Sequence, residues 1–256
     1  MMFRLTLFFL ALFTVSSRAD NSITDIQARV KALTPPAGQP ATTYPVPREQ
    51  WMARFVGNLD KLKQGPYEAV FDGDSITDYW QLGDRLKQRY PTLKLLDVAI
   101  EGDQVQNVLW RVQHGELDGQ DPKLIMLLIG TNNSFQDPKD IAAGIKLIIG
   151  EYETRCPDAH ILLLGLFPRA WAATAPDRAW IKSVNMVLAT LSSDPKVTYM
   201  DIGDKFLQPD GTLTKEIMTD SLHPSDKGYV IWADAIQPVI DKYCPAPSAA
   251  APAPPK

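Results

Sequence analysis

The sequence predicts an α/β domain on a parallel, doubly wound sheet. Three observations carry this. Five short runs read as strands, several of them apolar at nearly every position, as strands covered on both faces must be. Helical segments with 3.6-residue apolar spacing alternate with those runs. The length, 256 residues, suits one domain with a substantial core.

Taken in order, the chain opens on a basic start, MMFR, followed by the apolar run LTLFFLALFTV over 5–15. About eleven apolar residues match a signal-peptide core and fall short of the roughly twenty a membrane span needs. The small residues around Ser17 and Ala19 predict cleavage after Ala19, which makes the mature protein secreted or periplasmic, with no stable membrane insertion. Residues 22–33 read as a helix, and the Pro-rich 34–50 as an extended arm. The strand candidates are YEAVF (67–71), LKLLDVAI (93–100), KLIMLLI (123–129), HILLLGL (160–166) and VTYMDI (197–202). Between them, Val105, Val108, Leu109 and Val112 mark one helix, which Asp103 is placed to cap. Ile141, Ile145, Ile148 and Tyr152 mark a second, with Asp137 as cap and Pro138 as first residue. Ile181, Val184, Leu188 and Leu191 mark a third. Tyr229, Ala233, Ile236, Ile240 and Tyr243 mark the last, where Pro238 predicts a bend. The end of the chain is a Pro/Ala tail with nothing to bury, expected to be disordered. The expected division is therefore a signal peptide at 1–19, a helix and arm at 20–50, the domain at 51–244 and a tail at 245–256.

Composition narrows the function. Hydrophobic residues make up 45% and charged residues 22%, as in soluble globular proteins. The net charge of −4 argues against nucleic acid, which needs a basic face. The sequence leaves open whether Cys156 and Cys244 form a disulfide in an oxidising compartment. Neither has a His or Cys at ligand spacing, so no metal site is expected. Nothing in the sequence sets the oligomeric state.

In a doubly wound sheet, ligands bind outside the carboxyl ends of the strands. That rule sorts the chemistry-bearing residues. Ser75, in FDGDSIT, directly follows the first strand. Gly102 follows the second and Asn132, in GTNN, the third. Together they offer one hydroxyl and two turns able to supply hydrogen-bond donors. A serine nucleophile needs a base. His160 begins a strand and His114 ends the helix leading toward another, so both fall at the opposite edge. His223, in DSLHP, remains, with Asp220 able to orient it if the loop turns back. The competing reading of FDGDSIT is a metal-dependent phosphatase with Asp72 as nucleophile. It requires an exposed Asp72 and gives Gly102, Asn132 and the Asp220–His223 pair nothing to do. The serine reading treats Asp72 and Asp74 as turn and capping residues.

The four blocks, FDGDSIT, the turn at Gly102, GTNN and DSLHP, occur in order across 70–229 and resemble the SGNH, or GDSL-type, hydrolase family. The longer run GDQVQNVLWRVQHGELDG and the later LLLGLFPRA look like the branch of platelet-activating-factor acetylhydrolase catalytic subunits and their bacterial relatives. Glu101 departs from that branch, which often has Gly there. The resemblance implies a three-layer α/β/α fold with a five-stranded, flavodoxin-like sheet. It implies a serine esterase with Ser75, His223 and Asp220 as triad. The Ser75 and Gly102 backbone N–H groups and the Asn132 amide would form the oxyanion hole, with no cofactor.

Trp80, Glu101, Arg169 and Trp171 are candidates for the pocket rim, whereas Trp110 and Trp180 read as packing residues. The expected activity is removal of short acyl groups, acetyl above all, from small-molecule or glycan esters, with an O-acetylated carbohydrate preferred. A thioesterase or lysophospholipase-type hydrolase would use the same site. A carbohydrate-binding module on a degenerate hydrolase fold would be expected to lose Ser75 or His223, and both are present.

Overall fold

The computed structural model describes residues 35–246. The apolar N-terminal run, the expected cleavage after Ala19, the expected helix over 22–33 and all but the first two residues of the Pro/Ala tail lie outside the described residues. The elements are α1 (Met52–Leu62), β1 (Ala69–Gly73), α2 (Ser75–Asp78), α3 (Arg85–Arg89), β2 (Leu95–Asp97), α4 (Val105–Gln113), β3 (Leu124–Leu128), α5 (Pro138–Arg155), β4 (His160–Leu164), α6 (Pro176–Leu188), β5 (Val197–Met200) and α7 (Asp226–Tyr243).

The five strands form one parallel sheet in the order β2-β1-β3-β4-β5. This is the predicted fold class, a flavodoxin-like doubly wound sheet with helices on both faces. β1 and β3 are wholly buried, which is why their sequences run apolar rather than alternating. The order reverses direction between β1 and β3. In such sheets that switch point opens the crevice where ligands bind. The turns after β1 and β3 carry Ser75 and Asn132.

Several elements differ in detail from the sequence pattern. The apolar run 93–100 forms strand only over Leu95–Asp97. Val98 and Ile100 are buried and donate to Phe71 and Gly73, at 2.9 and 3.2 Å, as the chain leaves the sheet. α7 is one continuous helix through Pro238. The proline is exposed, so the carbonyl of Asp234 that loses its donor can meet water.

The Pro-rich arm is a strap docked across α4 and α5. Thr42 is fully buried, and its hydroxyl donates to the Asp140 carbonyl at 2.6 Å. A Cβ on Gly144 would sit 2.4 Å from the Thr42 carbonyl, so only glycine lets the strap cross α5 there. Val46 N–H donates to Gln106 O, and the Asn107 amide donates to Val46 O. Composition predicts extension; the docking depends on these few polar contacts. Cys156 and Cys244 are both free thiols and buried. They donate to different backbone carbonyls, Gln120 and Glu68.

Candidate active site

The site begins with the end of β1. Gly73 has φ +155°, and a Cβ there would meet Leu128 O at 2.2 Å and Thr77 Oγ1 at 2.6 Å. No other residue fits this close crossing. Asp74 then caps α2, its carboxylate accepting from Ile76 N–H at 3.0 Å. This turn delivers Ser75 as the first helical residue, with its hydroxyl 2.9 Å from His223 Nε2.

His223 is carried by a tight loop before α7. Thr219 N–H donates to His223 O at 2.8 Å, a bridge joins Met218 to Pro224, and Ser221 takes a left-handed φ of +70°. The fold-back lets one carboxylate grip its own loop. Asp220 Oδ1 accepts the backbone N–H groups of Leu222 and His223, and Oδ2 lies 2.7 Å from His223 Nδ1. Burial acts to raise the Asp220 pKa. The hydrogen bonds from His223 and Leu222 outweigh it and hold the carboxyl below the usual range. With Nδ1 facing a carboxylate, the neutral imidazole keeps its proton there and offers Nε2 as acceptor to Ser75. Two further ties fix the loop. Ala170 N–H donates to Ser221 O, and Tyr229 OH on α7 donates to Ile76 O at 2.7 Å. The helices after Ser75 and His223 are thereby bolted together.

The other two turns interlock. Gly102 is left-handed, φ +74°. The Asn132 amide donates to Asp103 O at 2.9 Å, Gln104 Nε2 donates back to Asn132 O at 2.7 Å, and Val105 N–H donates to Asn133 Oδ1 at 3.0 Å. The second N–H of the Asn132 amide has no partner among the described residues. Arg48, from the strap, donates to Glu101 O at 2.7 Å and lies against the bare face of Gly102. Glu101 O and Gly102 N–H share one trans peptide and so point opposite ways. Arg48 therefore fixes which way the Gly102 donor faces.

Three expectations need correction. Trp80 does not line the rim. It is 1% exposed and packs edge-on or tilted against Phe71, Tyr90, Tyr229 and Trp232. A large apolar ring one turn after Ser75 is drawn into the core beneath α7. Asp103 does not cap α4. Gln104 and Asn107 cap it reciprocally, while Asp103 pairs with Arg111 at 2.8 Å and with Arg48 at 3.4 Å. Asp72 is not a turn residue. It is fully buried and held by Arg111 Nη2, Tyr152 OH and Gly73 N–H at 2.6, 2.6 and 2.7 Å. The phosphatase reading required that carboxylate to be exposed.

The remaining rim candidates lie near the site. Glu101 is exposed. Arg169 pairs with Asp177 and donates to Thr131 O at 2.9 Å, beside Asn132. Trp171 is 37% exposed on the loop bonded to Ser221 and Leu213. His114 stacks on Trp110 and His160 on Tyr243, away from Ser75. Trp110 and Trp180 are buried packing residues.

Residues 71–231 match the model of the GDSL-like lipase/acylhydrolase family. The chain is also 34% identical over 199 residues to the platelet-activating factor acetylhydrolase IB subunit alpha1 of Bos taurus, and equally to that of Homo sapiens. Each match covers 76% of this chain and 84% of the relative. This chain belongs to the GDSL-like lipase/acylhydrolase family. It is an ester hydrolase of that family, and its fold recurs in solved structures. A GDSL-like lipase from Bacteroides thetaiotaomicron superposes with a TM-score of 0.60 at 19% identity, covering 74% of this chain and 97% of that one. A catalytic mutant of an acetylxylan esterase from Geobacillus stearothermophilus gives 0.54 at 19% identity, covering 68% and 94%.

Within this GDSL hydrolase, Tyr79 is the site neighbour that motif reading missed. Its ring lies over the His223 imidazole, centroids 4.9 Å apart and tilted by 33°. Its hydroxyl donates to Glu101 Oε1 at 3.0 Å. Burial first, then the hydrogen bond and charge of Glu101, push the phenol up to about 12. The available signal was its position, one helical turn after Ser75.

Proposed function

We propose that this hydrolase cleaves short-chain acyl esters, acetyl above all, from a neutral alcohol such as an O-acetylated carbohydrate, outside the cytoplasm. The observation carrying the reading is the continuous chain of short contacts from Ser75 Oγ to His223 Nε2, 2.9 Å, and from Nδ1 to Asp220, 2.7 Å.

In this reading Ser75 Oγ attacks the ester carbonyl carbon while its proton passes to His223 Nε2. The carbonyl electron pair moves onto oxygen. The Ser75 and Gly102 backbone N–H groups and the Asn132 amide receive that oxyanion. Asp220 stabilises the imidazolium without taking its proton. Collapse expels the alcohol, which leaves with the proton from Nε2, and the acyl group stays on Ser75. Water, giving a proton to His223, then attacks the acyl-enzyme and releases the acid. No step calls for a metal or an organic cofactor.

Acetyl is favoured because the relatives at 34% identity are named as acetylhydrolases. A carbohydrate alcohol is favoured by the exposed carboxylate of Glu101 and the part-exposed ring of Trp171. The apolar run at 5–15 supports export.

Turnover of p-nitrophenyl acetate by the intact protein and by Ser75→Ala tests the chemistry. Loss of turnover in the variant is expected, and equal rates would overturn the reading. Acetyl should outrun octanoyl esters, and a panel of acetylated glycans then ranks alcohols. N-terminal sequencing of protein from the cell envelope is expected to begin at Asp20; retention of residues 1–19 would remove the export claim.

A further inference from the structure

We propose that Glu101, held in place by Tyr79, is a specificity-determining residue that turns this site against anionic esters and toward neutral or cationic alcohols. The inference deepens the esterase reading and rests on it.

Glu101 immediately precedes Gly102, so its side chain hangs from the residue that also presents the proposed oxyanion donor. The backbone there is clamped on both sides. Glu101 N–H donates to Asp78 Oδ2 at 3.2 Å, and its carbonyl accepts from Arg48. The side chain is tethered as well: Oε1 accepts the Tyr79 hydroxyl, and the Tyr79 ring covers His223. One phenol therefore spans the distance from the imidazole to the carboxylate.

Three features make this carboxylate more than a surface charge. It is exposed, yet hydrogen-bonded at one oxygen, so it is not free to swing away. Its second oxygen has no partner among the described residues. No described Lys or Arg pairs with it either. Arg54 is taken by Asp78, and Arg48 reaches the Glu101 backbone and Asp103 rather than the Glu101 side chain. On the far side of His223 the Asp220 side chain is also 56% exposed. The alcohol half of an ester leaving past His223 thus meets the tethered Glu101 carboxylate, which no described Lys or Arg pairs. A carboxylate or phosphate on that alcohol is repelled at this range, whereas a neutral or cationic one is not.

A simpler role would be that Glu101 only anchors Tyr79 over His223. The two roles predict different data. An anchor affects every substrate alike; a charged wall changes rates according to substrate charge.

The test compares the intact enzyme, Glu101→Gln and Tyr79→Phe on three aryl acetates that differ only in the meta substituent: hydroxymethyl, trimethylammonio and carboxylate. The readout is the ratio of kcat/KM for the cation to that for the anion. Differences in leaving-group reactivity cancel when this ratio is compared between enzymes. The ratio is expected to fall about tenfold in Glu101→Gln, the Coulomb effect of one nearby charge. In Tyr79→Phe, which keeps the charge but frees it, a fall of about threefold is expected. Raising NaCl from about 0.02 to about 0.5 M should compress the intact enzyme's ratio, because exposed charges are screened. A ratio unchanged within twofold in Glu101→Gln, with all three rates falling together, would reduce Glu101 to an anchor and overturn the proposal. Undiminished turnover in Ser75→Ala would instead remove the esterase reading beneath it.

Discussion

The carboxylates of Asp220 and Asp72 each meet a basic side chain at close range, 2.7 Å to His223 Nδ1 and 2.6 Å to Arg111 Nη2. Their surroundings differ completely. The Asp220 side chain is 56% exposed, and its pair sits at the rim. Asp72 is fully buried in a knot where a single guanidinium, Arg111, holds Asp72, Asp103 and Glu116, and Tyr152 adds a hydroxyl. Burial pushes the Glu116 carboxyl well up, against the pull of Arg111. At the rim, water lets a proton come and go, and pairing tunes reactivity. In the interior, desolvation makes the same pairing a matter of integrity: each member is costly to leave alone. Asp103 joins the two regions. Its carboxylate belongs to the knot, and its carbonyl orients Asn132.

Substitutions can break that contrast, and the largest effect is expected at the rim. His223→Gln should lower kcat for an acetyl ester by about 10⁴–10⁶, the scale seen when a triad base is removed. Its melting temperature should stay near that of the intact protein, measured by calorimetry. In the knot the outcome should invert. Arg111→Ala strands buried carboxylates and should cost about 3–5 kcal/mol in urea unfolding. Any loss of activity there should follow the folded fraction. Asn132→Ala probes the link between the regions. It should reduce kcat by about 10²–10³, as when an oxyanion donor is removed, with a smaller change in KM.

The smallest effect is a pH trend that sharpens the comparison. Burial first, opposed by the Ile76 hydrogen bond and aided by the charge of Asp103, raises the Asp74 carboxyl from 3.8 to about 7. Its Oδ2 is buried without a partner among the described residues. Asp103 is raised to about 6, mainly by burial, against the opposing pull of Arg111. Between pH 4 and 7 the native chain therefore holds protons that the unfolded chain has lost. For these groups stability is greatest below pH about 4, declines up to about 7 and is flat beyond. The lowered Asp220 acts oppositely, but only as pH falls below its ordinary range near 3.8. Urea midpoints are thus expected to fall from pH 4.5 to 7.5. Asp74→Asn, which keeps an N-cap acceptor, should flatten part of that slope. An unchanged slope would mean Asp74 is ionised in the native state across the range.

The frame of this molecule was readable from the chain because parallel strands buried on both faces leave apolar runs, and the first three motif blocks each sit just past such a run. The positions of Ser75, Gly102 and Asn132 along the chain followed from that rule, and His223 from excluding the two histidines at the opposite edge. What the pattern could not reveal depends on contacts distant in sequence. Trp80 and Tyr79 are adjacent aromatics one turn after Ser75, and nothing local says that one goes to the core and the other to the imidazole. Asp103 has the chemistry of a helix cap, yet Arg111 eight residues later claims it, and Gln104 takes over the cap. Asp72 reads as a turn residue until α4 and α5 bring Arg111 and Tyr152 to it.

The strap at 35–51 bears on how this enzyme can be trimmed. A gene shortened to start at Trp51 would still encode all four motif blocks and every strand. It would lack Arg48, the guanidinium that grips the Glu101–Gly102 peptide, and would leave Gly144 and its neighbours uncovered. The smallest portable unit of this hydrolase is therefore longer than its motifs suggest, and the proline-rich lead-in belongs with the catalyst.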